Sequence, residues 1–336
     1  MWWENMTYTF LGHLSPDDPL FDYLQNQIMP QAGFYDADSG YRVFAFPNCR
    51  NVYLYENTHG GPKVVGKFFP FQGNHSARCP GEIEFNNLSF IRSLGFCNPP
   101  YLIVRPFGFH PGIGQVLILE YLEMQTAGSV ILDAIYRGKN RRLYRKLTLF
   151  AAILAELHNR TAGDWTVDFD ERAGHMERLL RYLVDKRGMT DSMAGMFQRF
   201  RESWRNRPEM WGDRRVVVHG DATPSNILFG RGSVVAMIDL ERMKWADRTL
   251  DLGMAAAELK HFFFRATGNP QAGEPAIHHL IREYCSHFPD REAAFFSITR
   301  RLPFYMAVTL LRISRNGWVD PDYRFRLWEE ACRILR

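Results

Sequence analysis

The chain has 336 residues, 46% of them hydrophobic, 14% aromatic and 23% charged, which excludes a disordered, collagenous or coiled-coil protein. The length is enough for two compact units or for one unit with two lobes. Forty-one Lys and Arg against 37 Asp and Glu leave a formal charge of +4, mildly basic and far from the charge density of a dedicated nucleic-acid binder.

Cys49, Cys79, Cys97, Cys285 and Cys332 form no CxxC pair and are odd in number, which argues against a zinc ribbon or a disulfide framework. The first residues, with Trp2 and Trp3, lack a basic stretch followed by an apolar run, and no segment approaches about 18 uninterrupted apolar residues. The expectation is a reduced, cytoplasmic protein without a membrane span. A buried terminus is preferred for the tryptophan pair over an interface anchor.

In chain order, Ser15-Pro16-Asp17-Asp18 reads as a cap before the helical spacing of Leu20, Phe21, Leu24 and Ile28, within an N-terminal helical extension over residues 1–40. From Tyr41 the period changes. Residues 41–46, 51–55 and 63–69 are short β-branched and aromatic runs separated by turn residues such as Gly60-Gly61-Pro62, which predicts an antiparallel meander. A helix is predicted over 82–94, with Phe85, Leu88 and Ile91 on one face and Gly95 as its stop. Two more strands follow at 101–104 and 116–122. Beyond them the pattern turns helical, as in the stripe Leu147, Phe150, Ala151, Leu154 and Leu157. A strand-rich half, a five-stranded sheet plus one helix over 41–119, thus precedes a helix-rich half over 120–336. The change falls at 119–122, and the absence of a low-complexity linker predicts packed lobes.

One stretch stands apart. Val216-Val217-Val218-His219-Gly220-Asp221-Ala222-Thr223-Pro224-Ser225-Asn226-Ile227-Leu228-Phe229 places an Asp and an Asn five positions apart between two apolar strands. A third strand then ends at Ile238-Asp239-Leu240-Glu241. Hard oxygen donors on short side chains are what Mg²⁺ requires, and the ion generally keeps waters and binds substrate phosphates as well. A carboxylate on the same loop can accept a proton from a hydroxyl that attacks the phosphate.

His219-Gly220-Asp221-x-x-x-x-Asn226 followed by Ile238-Asp239-x-Glu241 resembles the catalytic signature of the aminoglycoside phosphotransferase and choline kinase-like families, relatives of the protein kinases. The resemblance covers roughly residues 41–260. It implies an α+β, two-lobed protein-kinase-like fold with an antiparallel-sheet, nucleotide-binding N-lobe and a mainly helical catalytic and acceptor-binding C-lobe. Carried onto this chain, it makes Asp221 the catalytic base and Asn226 and Asp239 the Mg²⁺ ligands, with ATP, or GTP, as phosphate donor. Lys67, on the third strand, stands where the family carries the lysine that meets the α- and β-phosphates. Glu82 and Glu84 compete to pair with it, and counting back from Arg92-Ser93-Leu94-Gly95 favours Glu82.

No GxGxxG lies between the first two strands. Instead Pro47-Asn48-Cys49-Arg50-Asn51 resembles the nucleotide loop of aminoglycoside phosphotransferases, so Arg50 and Asn51 are phosphate candidates; an ordinary hairpin tip is the alternative. Glu120 and Leu122, at the hinge, are candidate adenine contacts through their backbone. Asp251, in Asp247-x-x-x-Asp251-Leu252, matches the family's support for the catalytic loop. His158 and His219 read as packed, hydrogen-bonded histidines, and Glu241 either orders metal waters or is a surface acid.

The acceptor is expected to be a hydroxyl of a small molecule, a sugar or amino-alcohol type. Residues 254–336 hold twelve Lys and Arg against nine Asp and Glu, an excess of +3 that disfavours a polycationic aminoglycoside and favours a sugar, a phosphorylated glycan or another anionic alcohol. The alternatives are a protein or lipopolysaccharide kinase and a nucleotide-binding pseudokinase scaffold. Retention of Asp221, Asn226, Asp239 and Lys67 together argues against the scaffold.

Overall fold

Alternating apolar and polar residues after Tyr41 do build strands, and a computed structural model shows how they pair; it describes residues 8–47, 49–70 and 79–336. Trp2, Trp3 and Asn48 fall outside the described residues. The chain divides into two units, Met1–Met124 with Gly230–Glu241, and Gln125–Phe229 with Arg242–Arg336.

The first unit opens with β1 (Thr9–His13), then α1 (Pro19–Tyr23), which runs through a π-helical turn, Leu24–Ile28, into α2 (Met29–Gln31). Asp18 starts this helical run by accepting the Leu20 N–H at 2.9 Å. The meander follows as β2 (Tyr41–Ala45), β3 (Val52–Asn57) and β4 (Val64–Phe68), and then α3 (Pro80–Ser93). Next come β5 (Cys97–Asn98), β6 (Tyr101–Ile103), β7 (Pro106–His110) and β8 (Val116–Glu120). The main sheet has six strands in the order β1-β2-β3-β4-β8-β7, with every neighbouring pair antiparallel. In this register Lys67 lies opposite Val52 on one side and Leu117 on the other.

Both faces of the sheet are covered. Leu20, Tyr23, Leu24, Ile28 and Met29 pack with Tyr41, Tyr55, Val64, Val116 and Ile118 in one buried cluster, while α3 lies against β7 and β8. The fit is close at Gly108, where an added Cβ would run into the Tyr23 hydroxyl. Burial on both sides explains why β8 reads as an unbroken apolar run and not as an alternation.

The sheet departs from its sequence reading in three places. β1, from within the extension, pairs with β2 and adds an edge strand. Pro106-Phe107-Gly108-Phe109-His110 forms β7, although Pro and Gly lower strand propensity. The register shift between Pro106 and Gly108 is where the strand accommodates them. Residues 101–104, expected in the main sheet, supply β6 to a smaller one instead, beside β5.

The second unit begins with β9 (Gln125–Thr126) and four helices: α4 (Ala127–Arg137), α5 (Asn140–Arg160), α6 (Phe169–Arg187) and α7 (Asp191–Arg205). β10 (Arg215–Val218) and β11 (Ile227–Phe229) frame the loop that carries Asp221. The chain then returns to the first unit as β12 (Val235–Met237), parallel to β6. It re-enters the second unit as β13 (Lys244–Asp247), antiparallel to β10. The remainder is α8 (Thr249–Thr267), α9 (Glu274–Cys285), α10 (Arg291–Ser314) and α11 (Pro321–Leu335). Short polar side chains start most of these helices: Thr126 accepts the Ser129 N–H, Thr190 that of Met193, Asp290 that of Ala293 and Asp320 that of Tyr323. α10 packs against α8 and α11, and α5 against α9. Among the described residues no helix is long and apolar enough to cross a membrane.

Candidate active site

In the first unit β4 carries Lys67 into a group of carboxylates. Its Nζ donates to Glu84 Oε2 at 2.7 Å, to Asp239 Oδ1 at 2.5 Å and to Glu241 Oε2 at 3.3 Å. Glu84 is fully buried. Burial pushes its carboxyl up to about 7, Asp239 and Glu241 push the same way, and Lys67 opposes them. Burial alone would lower the Lys67 ammonium, but Glu84 and Asp239 overcompensate and hold it above its ordinary value, so it stays charged. Asp239 sits at φ +65, in the left-handed region that few residues other than glycine adopt, two residues past the end of β12.

Carboxylate oxygens of Glu84, Asp239 and Glu241 lie within 4.8 Å of one another. Three carboxylates around one ammonium leave an excess of negative charge, and all the donors are hard oxygens, so this set fits a divalent cation such as Mg²⁺.

The pairing expected of Glu82 is made by Glu84 instead. Glu82 is exposed at the start of α3, whereas Glu84, Leu88 and Ile91 share the buried face at i, i+4 and i+7. That spacing was the signal in the sequence; counting back from the helix end overlooked it.

The remaining first-unit candidates lie in the turn before β3 and at the end of β8. Arg50 and Asn51 are exposed in the turn before β3, and the Asn51 carbonyl accepts the Phe68 N–H at 2.8 Å, next to Lys67 in the chain. The Cys49 thiol in the same turn is raised by burial and by Asp239 and lowered by Lys67, so the turn lies within electrostatic reach of the cluster. Glu120, the last residue of β8, accepts the Arg105 N–H on its carboxylate at 3.3 Å, and the Leu122 carbonyl accepts the Met124 N–H at 2.8 Å.

In the second unit the loop from His219 to Asn226 is held from below by one buried side chain. Asp251, in the first turn of α8, accepts the backbone N–H of His219 at 2.7 Å and that of Gly220 at 3.0 Å. Its Oδ2 also meets His158 Nε2 at 3.1 Å, and His158 Nδ1 meets the Tyr284 hydroxyl at 2.8 Å. Burial opposes ionisation of Asp251, but hydrogen bonding and charge from His158, with His219, hold its carboxyl below the usual value. His219 in turn accepts the Asp221 N–H on Nδ1 at 3.3 Å. Gly220 is required here: its φ is +78, and a Cβ would strike the carbonyl of Arg242.

This frame sets Asp221 at the head of the loop and Asn226 at its end. The Asn226 amide donates to the Asp221 carbonyl at 3.0 Å, and its oxygen accepts from Ser225 Oγ at 3.3 Å. Asn226 is almost fully buried and Asp221 half-buried. Arg312 of α10 donates to Asp221 Oδ1 at 2.9 Å and to Glu258 Oε1 of α8 at 3.0 Å, while Arg242 stands 3.7 Å from Asp221 Oδ2. Burial raises the Glu258 carboxyl to about 7, with Asp221 adding to the effect and Arg312 opposing it. Neither Arg312 nor Glu258 was singled out from the sequence, because Arg312 is 91 residues from its partner and no local spacing marks the pair.

The model of the family described as "phosphotransferase enzyme family" matches residues 48–294. An aminoglycoside 3'-phosphotransferase of Streptomyces fradiae is 33% identical over 118 residues, which is 34% of this chain and 41% of that protein; the match spans less than half of the curated relative. Among solved structures, a choline kinase from Cryptosporidium parvum superposes with a TM-score of 0.60 at 12% identity, covering 94% of each chain. A GDP complex of an aminoglycoside 2'-phosphotransferase gives 0.58 at 14% identity, over 93% of this chain and 98% of that one. An ethanolamine kinase from Plasmodium vivax gives 0.56 at 12% identity, over 93% and 84%. At such identities the superpositions show a shared kinase-like fold, an antiparallel-sheet lobe and a helical lobe. The family match runs through both the Lys67 strand and the loop strapped by Asp251, and the chain belongs to the phosphotransferase enzyme family.

Proposed function

We propose that the protein transfers the γ-phosphate of ATP, or GTP, to a hydroxyl of a small molecule in a Mg²⁺-dependent reaction. The observation that carries this reading is Lys67, kept charged between buried Glu84 and Asp239. An ammonium fixed by two carboxylates is a preorganised point charge for phosphate oxygens and needs little rearrangement when they arrive. Asn226 and Asp239 would each offer a hard oxygen to the metal, and Glu241 would order its waters. When bound, Mg²⁺ neutralises charge on the transferring phosphate.

Asp221 would accept the proton of the acceptor hydroxyl. The freed oxygen bonds to the γ-phosphorus as the bond from that phosphorus to the β–γ bridging oxygen breaks, which leaves a phosphorylated acceptor and a nucleoside diphosphate. Arg50 and Asn51 would flank the phosphates, and the backbone near Glu120 and Leu122 would meet the adenine. Asp251 acts through the backbone: by fixing the His219 and Gly220 amides it sets where Asp221 points.

The test is Mg·ATP and Mg·GTP turnover against a panel of sugars, amino alcohols, aminoglycosides and phosphorylated alcohols, with Asp221→Asn beside the wild type. Loss of the base is expected to lower kcat by about 10²–10⁴-fold, with nucleotide affinity, measured by calorimetry, changed by less than about threefold. A wild type that turns over nothing and binds nucleotide as Asp221→Asn does would sink the catalytic reading.

A further inference from the structure

Asp221 lies in a setting that is strongly cationic for a group expected to deprotonate an alcohol. Arg312 contacts it directly and Arg242 stands 3.7 Å away. Arg315, which caps the C-terminus of α10 three residues after Arg312, is within electrostatic reach of Arg312, Arg242 and Asp221. Arg172 of α6 is only 9% exposed, lies 5.8 Å from the Tyr305 ring, and feels the charge of Arg312. Arg312 and Arg242 thus face Asp221, Arg315 lies within electrostatic reach of both, and Arg172, which Glu171 also reaches, lies within reach of Arg312. All of these residues belong to the second unit.

Buried guanidinium N–H groups ordinarily find acceptors, because each one left without a partner costs about 1–3 kcal/mol. Here Nε and Nη2 of Arg172 and Nε of Arg312 have no acceptor among the described residues. The Nε2 of His175, one turn along from Arg172, has none either. Burial, foremost, and the surrounding arginines pull His175 down to about 3, so it is neutral and adds no charge of its own. A fold that buries Arg172 against an aromatic ring, beside a second guanidinium and with donors unspent, holds an anion-binding arrangement ready-made. Arg301 of the same unit also keeps Nε and Nη1 without a hydrogen bond, but Asp213 at 2.5 Å and Asp247 at 3.4 Å neutralise its charge, whereas among the described residues no carboxylate lies in ion-pair contact with Arg172.

We propose that the acceptor alcohol also carries an anionic group, a phosphate monoester or a carboxylate, and that Arg172 and Arg312, helped by Arg242 and Arg315, receive it beside Asp221. An arriving anion gives Arg312 a further acceptor beside Asp221 and Glu258, at the Nε that has none. A polycationic acceptor would have to place ammonium groups among guanidinium groups and is repelled. The proposal rests on the phosphotransferase reading for the hydroxyl that is modified, but the anion site can be tested without any turnover.

Two measurements separate the readings. The first is calorimetric binding of glycerol 3-phosphate, glycerate, glycerol and ethanolamine to the full-length protein, with Arg172→Met and Arg315→Met as variants and Arg172→Lys as the charge-keeping control. Glycerol 3-phosphate is expected to bind at least about tenfold more tightly than glycerol or ethanolamine. Arg172→Met should weaken it by about 10–100-fold, as for loss of a charged hydrogen bond, and Arg172→Lys by less. If Arg172→Met does not fold, Arg315→Met still reports, with an expected weakening of about three- to tenfold.

The second measurement compares kcat/KM within matched pairs of acceptors, glucose against glucose 6-phosphate and glycerol against glycerol 3-phosphate. The anionic member of each pair is expected to lead, and Arg172→Met to raise its KM and so narrow the gap in kcat/KM between the two members. Neutral or cationic alcohols that bind and react as well as the anionic ones, with the arginine variants affecting all alike, would overturn the anion site and leave the phosphotransferase reading standing. Tight, Arg172-dependent binding of glycerol 3-phosphate without any phosphate transfer would keep the site and count against the reaction.

Discussion

Glu82 and Glu84 are two positions apart on α3, and the rotation of about 100° per residue in a helix sends them to different surroundings. Glu84 meets Lys67 in the interior; Glu82 faces outward. Because burial already pushes Glu84 up to about 7, a neutral amide should fit there without large loss of stability, and the effect of removing it should fall on phosphate handling. Glu84→Gln is therefore expected to lower kcat/KM for nucleotide by about tenfold or more with a stability change near 1 kcal/mol, and Glu82→Gln to leave both within twofold. Equal effects of the two substitutions in steady-state kinetics would count against Lys67 and Glu84 acting as a phosphate-positioning pair. At this scale, legibility followed sequence distance. The His219 to Asn226 loop and the Asp251 beneath it were readable because fixed short spacings carry them. The arginines around Asp221 were not, since α6, the segment before β13 and α10 each contribute one or two and only packing brings them together.

Single elements carry linked roles, and α8 is the clearest case. Its first turn presents Asp251 to the loop amides, its middle carries Glu258 to Arg312, and His261 is buried against Tyr323, with Nδ1 2.9 Å from the tyrosine hydroxyl. Burial, and secondarily Arg265, pulls His261 down to about 3. A histidine depressed in this way contributes stability above its unfolded pKa of about 6.5 that is lost as pH falls toward the folded value, because the unfolded chain takes up the proton first. By pH 5 the loss attributable to His261 is about 2 kcal/mol. Asp251 is also depressed, but its contribution is complete above about pH 3.9 and disappears only below that, so the two are separated by pH. His175, Glu84 and Glu258 titrate in the same window in both proteins and cancel in the comparison, so the urea-unfolding free energy of the wild type minus that of His261→Gln should fall by about 2 kcal/mol between pH 7.5 and 5. A difference between the two proteins that stays constant across this range would mean that His261 does not titrate there. The helices of this unit were readable as a class from their 3.6-residue stripes and capping residues. β7 was not, because Pro and Gly hide a strand that a register shift in the ladder accommodates.

On the scale of the molecule, the extension before Tyr41 changes what the first unit is. Its helical pattern was readable, but its partner was not: amphipathicity shows that a helix has an apolar face and not which surface that face covers. In the structure Leu20, Tyr23, Leu24, Ile28 and Met29 close one face of the sheet that carries Lys67, and β1 extends that sheet beyond β2. Leu24 and Ile28 are fully buried. The extension is therefore core, and the sheet without it would expose Tyr41, Tyr55, Val64, Val116 and Ile118 along one face, a patch large enough to drive association. Leu24→Ala should destabilise the protein by about 2–5 kcal/mol, as deletion of a buried leucine side chain does, and a chain starting at Tyr41 should be insoluble or bind hydrophobic dyes. The exposed Phe10 on β1 gives the control, since Phe10→Ala removes an aromatic ring that is half in solvent and should shift stability by less than about 1 kcal/mol. If denaturant midpoints showed Leu24→Ala as mild as Phe10→Ala, or if the chain starting at Tyr41 folded with wild-type cooperativity, the sheet would have to be stable with one face uncovered. The shape of β4 at Lys67 would then owe nothing to the extension, and its place in the molecule would need another explanation.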